Sequence, residues 1–180
     1  MFFLGVIVFG GSLALAWVDE IKFHRPRARV GTLTALEARQ HVFDSLALGI
    51  CVIFVYFVEY SASRRLIYVL LALATALAVT RDELNHHHGC SRAELWLHSL
   101  RYLYYPLLLT FLGILWPFID GVNFLLKIVL PFSVKMLRPL CLGYLSAIAL
   151  LIAYQSWFWW RLTHPPLPRS KASPEGGKAG

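Results

Sequence analysis

Three pairs of side chains in this 180-residue chain have the types and spacing to do chemistry together. Glu37 and His41 stand four apart, as do Glu94 and His98, and Glu83 stands three before His86, with Asp82 four before it. Residues three or four apart share one face of a helix, so each pair would present a carboxylate beside an imidazole. Asp44 lies one turn beyond His41, and Tyr102 and Tyr105 continue the face of Glu94 and His98. Carboxylate oxygens with imidazole nitrogens suit iron, manganese and zinc. The cysteines Cys51, Cys90 and Cys141 contain no CxxC pair and are odd in number, which argues against a thiolate zinc site and a disulfide framework. Counted one ligand each, Glu37, His41, Asp44, Asp82, Glu83, His86, Glu94 and His98 suffice for two metal ions. Iron is the expected metal, with zinc or manganese as the alternative.

The elements that must carry these residues follow from composition. Apolar residues make up 58% and charged residues 15%, against about 45–50% and about 25% in soluble domains. Mean hydropathy is +0.60. A soluble chain this small has too much surface for its volume to hide that many apolar side chains. The expected fold is all-α, a polytopic transmembrane bundle over residues 1–164. A spanning helix needs about 20 apolar residues, and five segments qualify: 2–18, 35–60, 66–81, 94–118 and 140–160. Segment 120–139 is apolar but broken by Lys127, Pro131, Lys135, Arg138 and Pro139. It reads as interfacial or re-entrant, with a sixth span as the alternative. The first segment lacks a basic n-region and reads as a retained helix. Residues 165–180 are Pro-, Gly-, Ser- and Lys-rich and should form a disordered cytoplasmic tail.

Five spans place twelve lysines and arginines on one side and five on the other. The positive-inside rule then puts the N-terminus outside and the C-terminus in the cytoplasm. The net charge of +7 is accounted for by such flanking residues, and no nucleic-acid-binding pattern accompanies it. All seven histidines fall on the cytoplasmic side, as do the acids Asp19, Glu20, Glu37, Asp44, Asp82, Glu83 and Glu94. Acids do not obey the positive-inside rule, so this one-sidedness needs another cause. Acids and histidines near membrane-embedded helix ends are costly and usually pair or bind something. Helix-end anchoring is the plainer reading for His24 and His164, and a surface ion pair for Glu59 with Arg64. No repeat of fixed period is evident. Ala72 with Ala76, Ala74 with Ala78, and Gly143 with Ala147 have the spacing of close helix contacts.

The element Glu83-Leu84-Asn85-His86 resembles the Glu-x-x-His of diiron-carboxylate helix bundles, in which two helices give Glu-x-x-His and two more a glutamate each. The other pairs here have the wider i,i+4 spacing, so what the resemblance implies is a carboxylate–histidine metal centre over residues 37–98. The function expected is a membrane-embedded non-haem, di-metal oxidoreductase acting on a hydrophobic small molecule reached from the lipid bilayer, with Tyr102 or Tyr105 tuning the site or relaying electrons. A zinc-dependent hydrolase ranks lower because no His-Glu-x-x-His is present. A metal or proton transporter ranks lower because the outer half carries few polar residues. A membrane assembly subunit, its polar cluster docking a partner or closed by Arg39, Arg92 and Arg101, is the non-enzymatic alternative.

Overall fold

Within a bilayer no water bonds the backbone, so a spanning segment satisfies its own N–H and C=O groups as a helix. The computed structural model describes residues 2–30, 34–85, 90–119 and 136–163, and among these residues there is no strand. In chain order they form α1 (Phe2–Asp19), a π-helical turn (Glu20–His24), α2 (Arg25–Arg29), α3 (Ala35–Phe57), α4 (Ala62–Asn85), α5 (Arg92–Ile119) and α6 (Leu137–Thr163). Five of these helices are long and apolar enough to cross a membrane, counting α1 with its continuation. The described residues thus form an all-helical bundle with five helices long and apolar enough to span a membrane.

α3 ends at Phe57, short of the expected 60, and α4 runs over Ala62–Asn85, past both ends of the expected 66–81; two further differences bear on the polar end and the broken segment. The first helix does not stop at Glu20 but runs on through the π turn into α2. Pro26 has no N–H, and its ring would press on the carbonyl four residues back. The wider π turn, closed by Arg25 N–H on the Glu20 carbonyl, precedes it and lets the chain stay helical. At the other end α6 begins at Leu137, with Arg138 and Pro139 in its first turn, where proline is tolerated. The last three residues of the segment expected to be interfacial are therefore helical; 120–135 lie outside the described residues, as does the tail from 164 onward.

The long helices close into a ring, α1 against α5, α5 against α4, α4 against α3, α3 against α6 and α6 back against α1, with α3 and α5 also touching across it. Three glycines permit the closest approaches: a Cβ on Gly5 would lie 2.9 Å from Leu140, and the other two face tyrosine rings. A Cβ on Gly11 would lie 2.6 Å from the Tyr104 ring, and one on Gly113 would lie 2.9 Å from the Tyr68 ring. Gly143, whose spacing to Ala147 pointed to such a contact, instead has open space beside it. The end of the bundle that carries Val58 is filled by aromatics: Trp116 is fully buried among Phe54, Tyr60 and Tyr68 and donates to the Val58 carbonyl at 2.7 Å. Leu66, Leu70, Leu73 and Leu77 form an exposed stripe down α4, which is the face a bilayer would cover. The polar residues collect at the opposite end.

Candidate metal centre

The end of α1, the π turn, the starts of α3 and α5, and Gln155 of α6 meet at that polar end. Asp19, Glu20, His24, His41, Asp44, Glu94 and His98 are all buried there. Asp19, His24 and His41 each offer one ligand atom within 4.8 Å of the others, and so do His24, Glu94 and His98. His24 belongs to both groups. Ligands about 2.0–2.2 Å from one ion lie roughly 3.0–3.6 Å from one another in tetrahedral or facial octahedral geometry, so a bound ion would draw each group inward. The His24 ring lies 4.2 Å from that of His41 and 6.3 Å from that of His98, centre to centre. His24 Nε2, His41 Nε2 and His98 Nδ1 are buried atoms that make no hydrogen bond among the described residues.

Other side chains fix the carboxylates. Asp19 binds Arg101 through one oxygen and lies 3.2 Å from His98 Nε2 through the other. Arg101 also donates to the Tyr105 hydroxyl at 3.3 Å. Gln155 donates to Glu20 at 3.2 Å and accepts from Ser45 at 3.2 Å, so α6 locks the π turn to α3. Glu37 and Glu94 occupy matching places. Each is the third residue of its helix: Thr34 and Glu37 exchange bonds of 3.2 Å between side chain and backbone, and so do Ser91 and Glu94. Both are capping boxes, which satisfy amides that a helix start leaves open. The second oxygen of each glutamate accepts from one Arg27 nitrogen, at 2.7 Å from Glu37 and 3.0 Å from Glu94. Cys90 Sγ lies 3.9 Å from the same nitrogen. Burial, reinforced by the Glu94 charge and opposed by Arg27, pushes the Cys90 thiol up to about 12.

The structure brings His41, Glu94 and His98 together. It places Asp44 beside them, buried one turn past His41 and within electrostatic reach of Arg101. Glu37 stands at the rim, joined to Glu94 through Arg27. Tyr105 reaches Arg101, whereas the Tyr102 hydroxyl donates to the Thr80 carbonyl at 3.1 Å and ties α5 to α4. Asp82 and Glu83 lie in the last turn of α4; their side chains, and all of His86, fall outside the described residues. Asp19 and His24 were not in the expected ligand set, and His24 had been read as an anchor. A signal for them exists in the chain. Asp19-Glu20-x-x-x-His24 followed by Glu37-x-x-x-His41 is echoed by Asp82-Glu83-x-x-x-His87 followed by Glu94-x-x-x-His98. The spacers between the two halves differ in length, which hides the echo from a search for a fixed period.

Comparison with protein-family models, with curated proteins and with solved structures finds no match to this chain. Two histidines and one carboxylate make up each of the two three-residue groups. That donor set, with coordination positions left over, is the one that non-haem iron oxygenases use, and zinc also accepts it.

Proposed function

We propose that the buried cluster is a non-haem metal centre, with two iron ions as the expected occupant, at which a hydrophobic substrate drawn from the bilayer is oxidised. The observation that carries this reading is the pair of two-histidine, one-carboxylate groups sharing His24. Asp19, His24, His41, Glu94 and His98 form the inner ligand set. Asp44 and Glu37 adjoin it, and Asp82, Glu83 and His86 are the contribution proposed for α4. Iron bound there would supply a redox centre able to take up dioxygen at positions the protein leaves open. The chain's own groups orient and insulate it: Arg101 holds Asp19, Gln155 holds Glu20, and the helices exclude water. Tyr105, bonded to Arg101, is the side chain placed to pass an electron or proton. By the count of twelve basic residues against five, the site faces the cytoplasm.

Elemental analysis of the purified protein tests this directly. Two irons per chain are expected, and a chelator should lower the thermal midpoint in detergent, because metal binds the folded form. His24→Ala and His98→Ala should each lose most of the bound metal, since one missing ligand leaves the buried carboxylates under-neutralised. His164→Ala should retain it. One zinc per chain would move the reading to a hydrolase. A specific observation favours one other reading: Arg27 and Arg101 already bind Asp19, Glu37 and Glu94. On that reading the ion pairs clamp helix ends in a non-enzymatic membrane subunit, and a metal-free protein with a midpoint indifferent to chelator is the result that would establish it.

A further inference from the structure

A cavity of about 350 Å³ opens between α3 and α4 at the level of the cluster, lined by Arg39, Gln40, Phe43, Asp44, Ala78 and Arg81. Three features set it apart from an ordinary interfacial crevice. Its two arginines sit where the apolar spans Leu36–Phe57 and Ala62–Arg81 reach their polar ends, which is the depth of lipid headgroups. Phe43, largely exposed, and Ala78 give it an apolar wall directly below those charges. Asp44 lines the cavity yet is itself 2% exposed, and it stands one turn from His41. One buried carboxylate thus separates the cavity from the candidate metal centre.

We propose that this cavity binds the head of an anionic amphiphile, a fatty-acid carboxylate or a phospholipid phosphate, between Arg39 and Arg81. Resting on the reading of the cluster as an oxidising centre, this makes the substrate an anionic lipid and places its head-proximal carbons beside Asp44. Guanidinium groups bind carboxylate and phosphate through paired, charge-assisted hydrogen bonds. A zwitterionic head would bring its own cation against the same arginines and bind less well. Another cavity, about 330 Å³ between α4 and α5, opens beside Arg65, Tyr68 and Gly113, nearer the aromatic end, and none of the cluster residues lines it.

Binding of oleate, phosphatidylglycerol and phosphatidylcholine to the full chain in lipid nanodiscs, read by native mass spectrometry, tests the proposal. One of the two anionic probes should bind at least about tenfold more tightly than phosphatidylcholine, and which one it is identifies the head. Arg39→Gln with Arg81→Gln should remove about tenfold or more of that affinity. The thermal midpoint in detergent should stay near that of the wild type, which shows the double variant is folded, and Arg64→Gln at the other end should bind as wild type does. Equal binding of all three probes, or wild-type affinity in the double variant, would overturn the proposal. Anionic selectivity that depends on these arginines in a protein found to hold no metal would leave the cavity assignment standing and remove only the oxidising centre behind it.

Discussion

Arg27 shows how much at this site depends on single side chains. Its guanidinium neutralises Glu37 and Glu94 from two different helices and lies against Cys90. Because the thiolate is the reactive form, the raised Cys90 pKa has a direct consequence. With a value of about 12, only about one thiol in ten thousand is ionised at pH 8, against roughly a quarter for an ordinary cysteine. Alkylation of Cys90, mapped by peptide mass spectrometry, should be slow at pH 8 and accelerate toward pH 12. Glu94→Gln, by removing a nearby negative charge, should shift that profile to lower pH. A wild-type profile centred near 8.5 would show that the thiol does not sit in this environment. The pairs Glu37/His41 and Glu94/His98 were readable because i,i+4 spacing fixes a shared face whatever the tertiary fold. Arg27 was not, since a long side chain that reaches across elements leaves no mark in spacing along its own helix. His24 escapes the spacing argument for a different reason: its acid partner Glu20 is also four residues back, but both lie beyond the apolar segment 2–18, where helix-end anchoring is the plainer reading.

At the scale of elements, two local irregularities position the site. The π turn at Glu20–His24 keeps the chain helical beyond the membrane-spanning part of α1 and turns both buried residues inward, while Ile21 and Lys22 face out. Gly11 brings α1 against α5, and with it Asp19 against His98 and Arg101. Gly11→Val should force the Tyr104 ring aside and cost about 1–3 kcal/mol, in the range of other overpacked helix contacts. Gly143→Ala, facing open space, should stay within about 0.5 kcal/mol of wild type. Thermal unfolding in detergent checks both, and equal midpoints for the two variants would remove Gly11 from the packing that aligns the site. Hydropathy alone located the helices, because a spanning segment needs length and apolarity and little else. It could not locate the π turn, whose cause is a proline following a charged stretch, nor decide which small residues pack. Ala, Gly and Ser at helical spacing look alike whether they face a neighbour or lipid, and only the placement of Tyr104 and Tyr68 distinguishes Gly11 and Gly113 from Gly143.

At the scale of the molecule, one end of the ring is aromatic and apolar and the other holds the buried acids and histidines. The basic residues follow the same axis, which predicts an orientation. Reporter fusions after Gly31, Ser63, Gly89, Asn123 and Ser173 should read inside, outside, inside, outside, inside. An inside signal after Asn123 would require a different number of crossings and would undo the charge count on which the cytoplasmic placement rests. The five long helices of the described residues were readable from sequence because each is separately apolar. The way the spans close on one another was not, because lipid is as apolar as leucine and hydropathy carries no information about which helix touches which.

Gln155 gives this architecture an order in time. Membrane helices insert one after another as the chain is made, and α6 follows the helices that carry the cluster. Until it arrives, the nascent protein already holds Asp19, His24, His41, Glu94 and His98, yet Glu20 and Ser45 still await the amide that joins them. The amide that joins Glu20 to Ser45 therefore arrives later than the helices that carry the cluster. A ribosome-bound chain ending before Leu137 would carry Asp19, His24, His41, Glu94 and His98 with the Gln155 latch between Glu20 and Ser45 still missing.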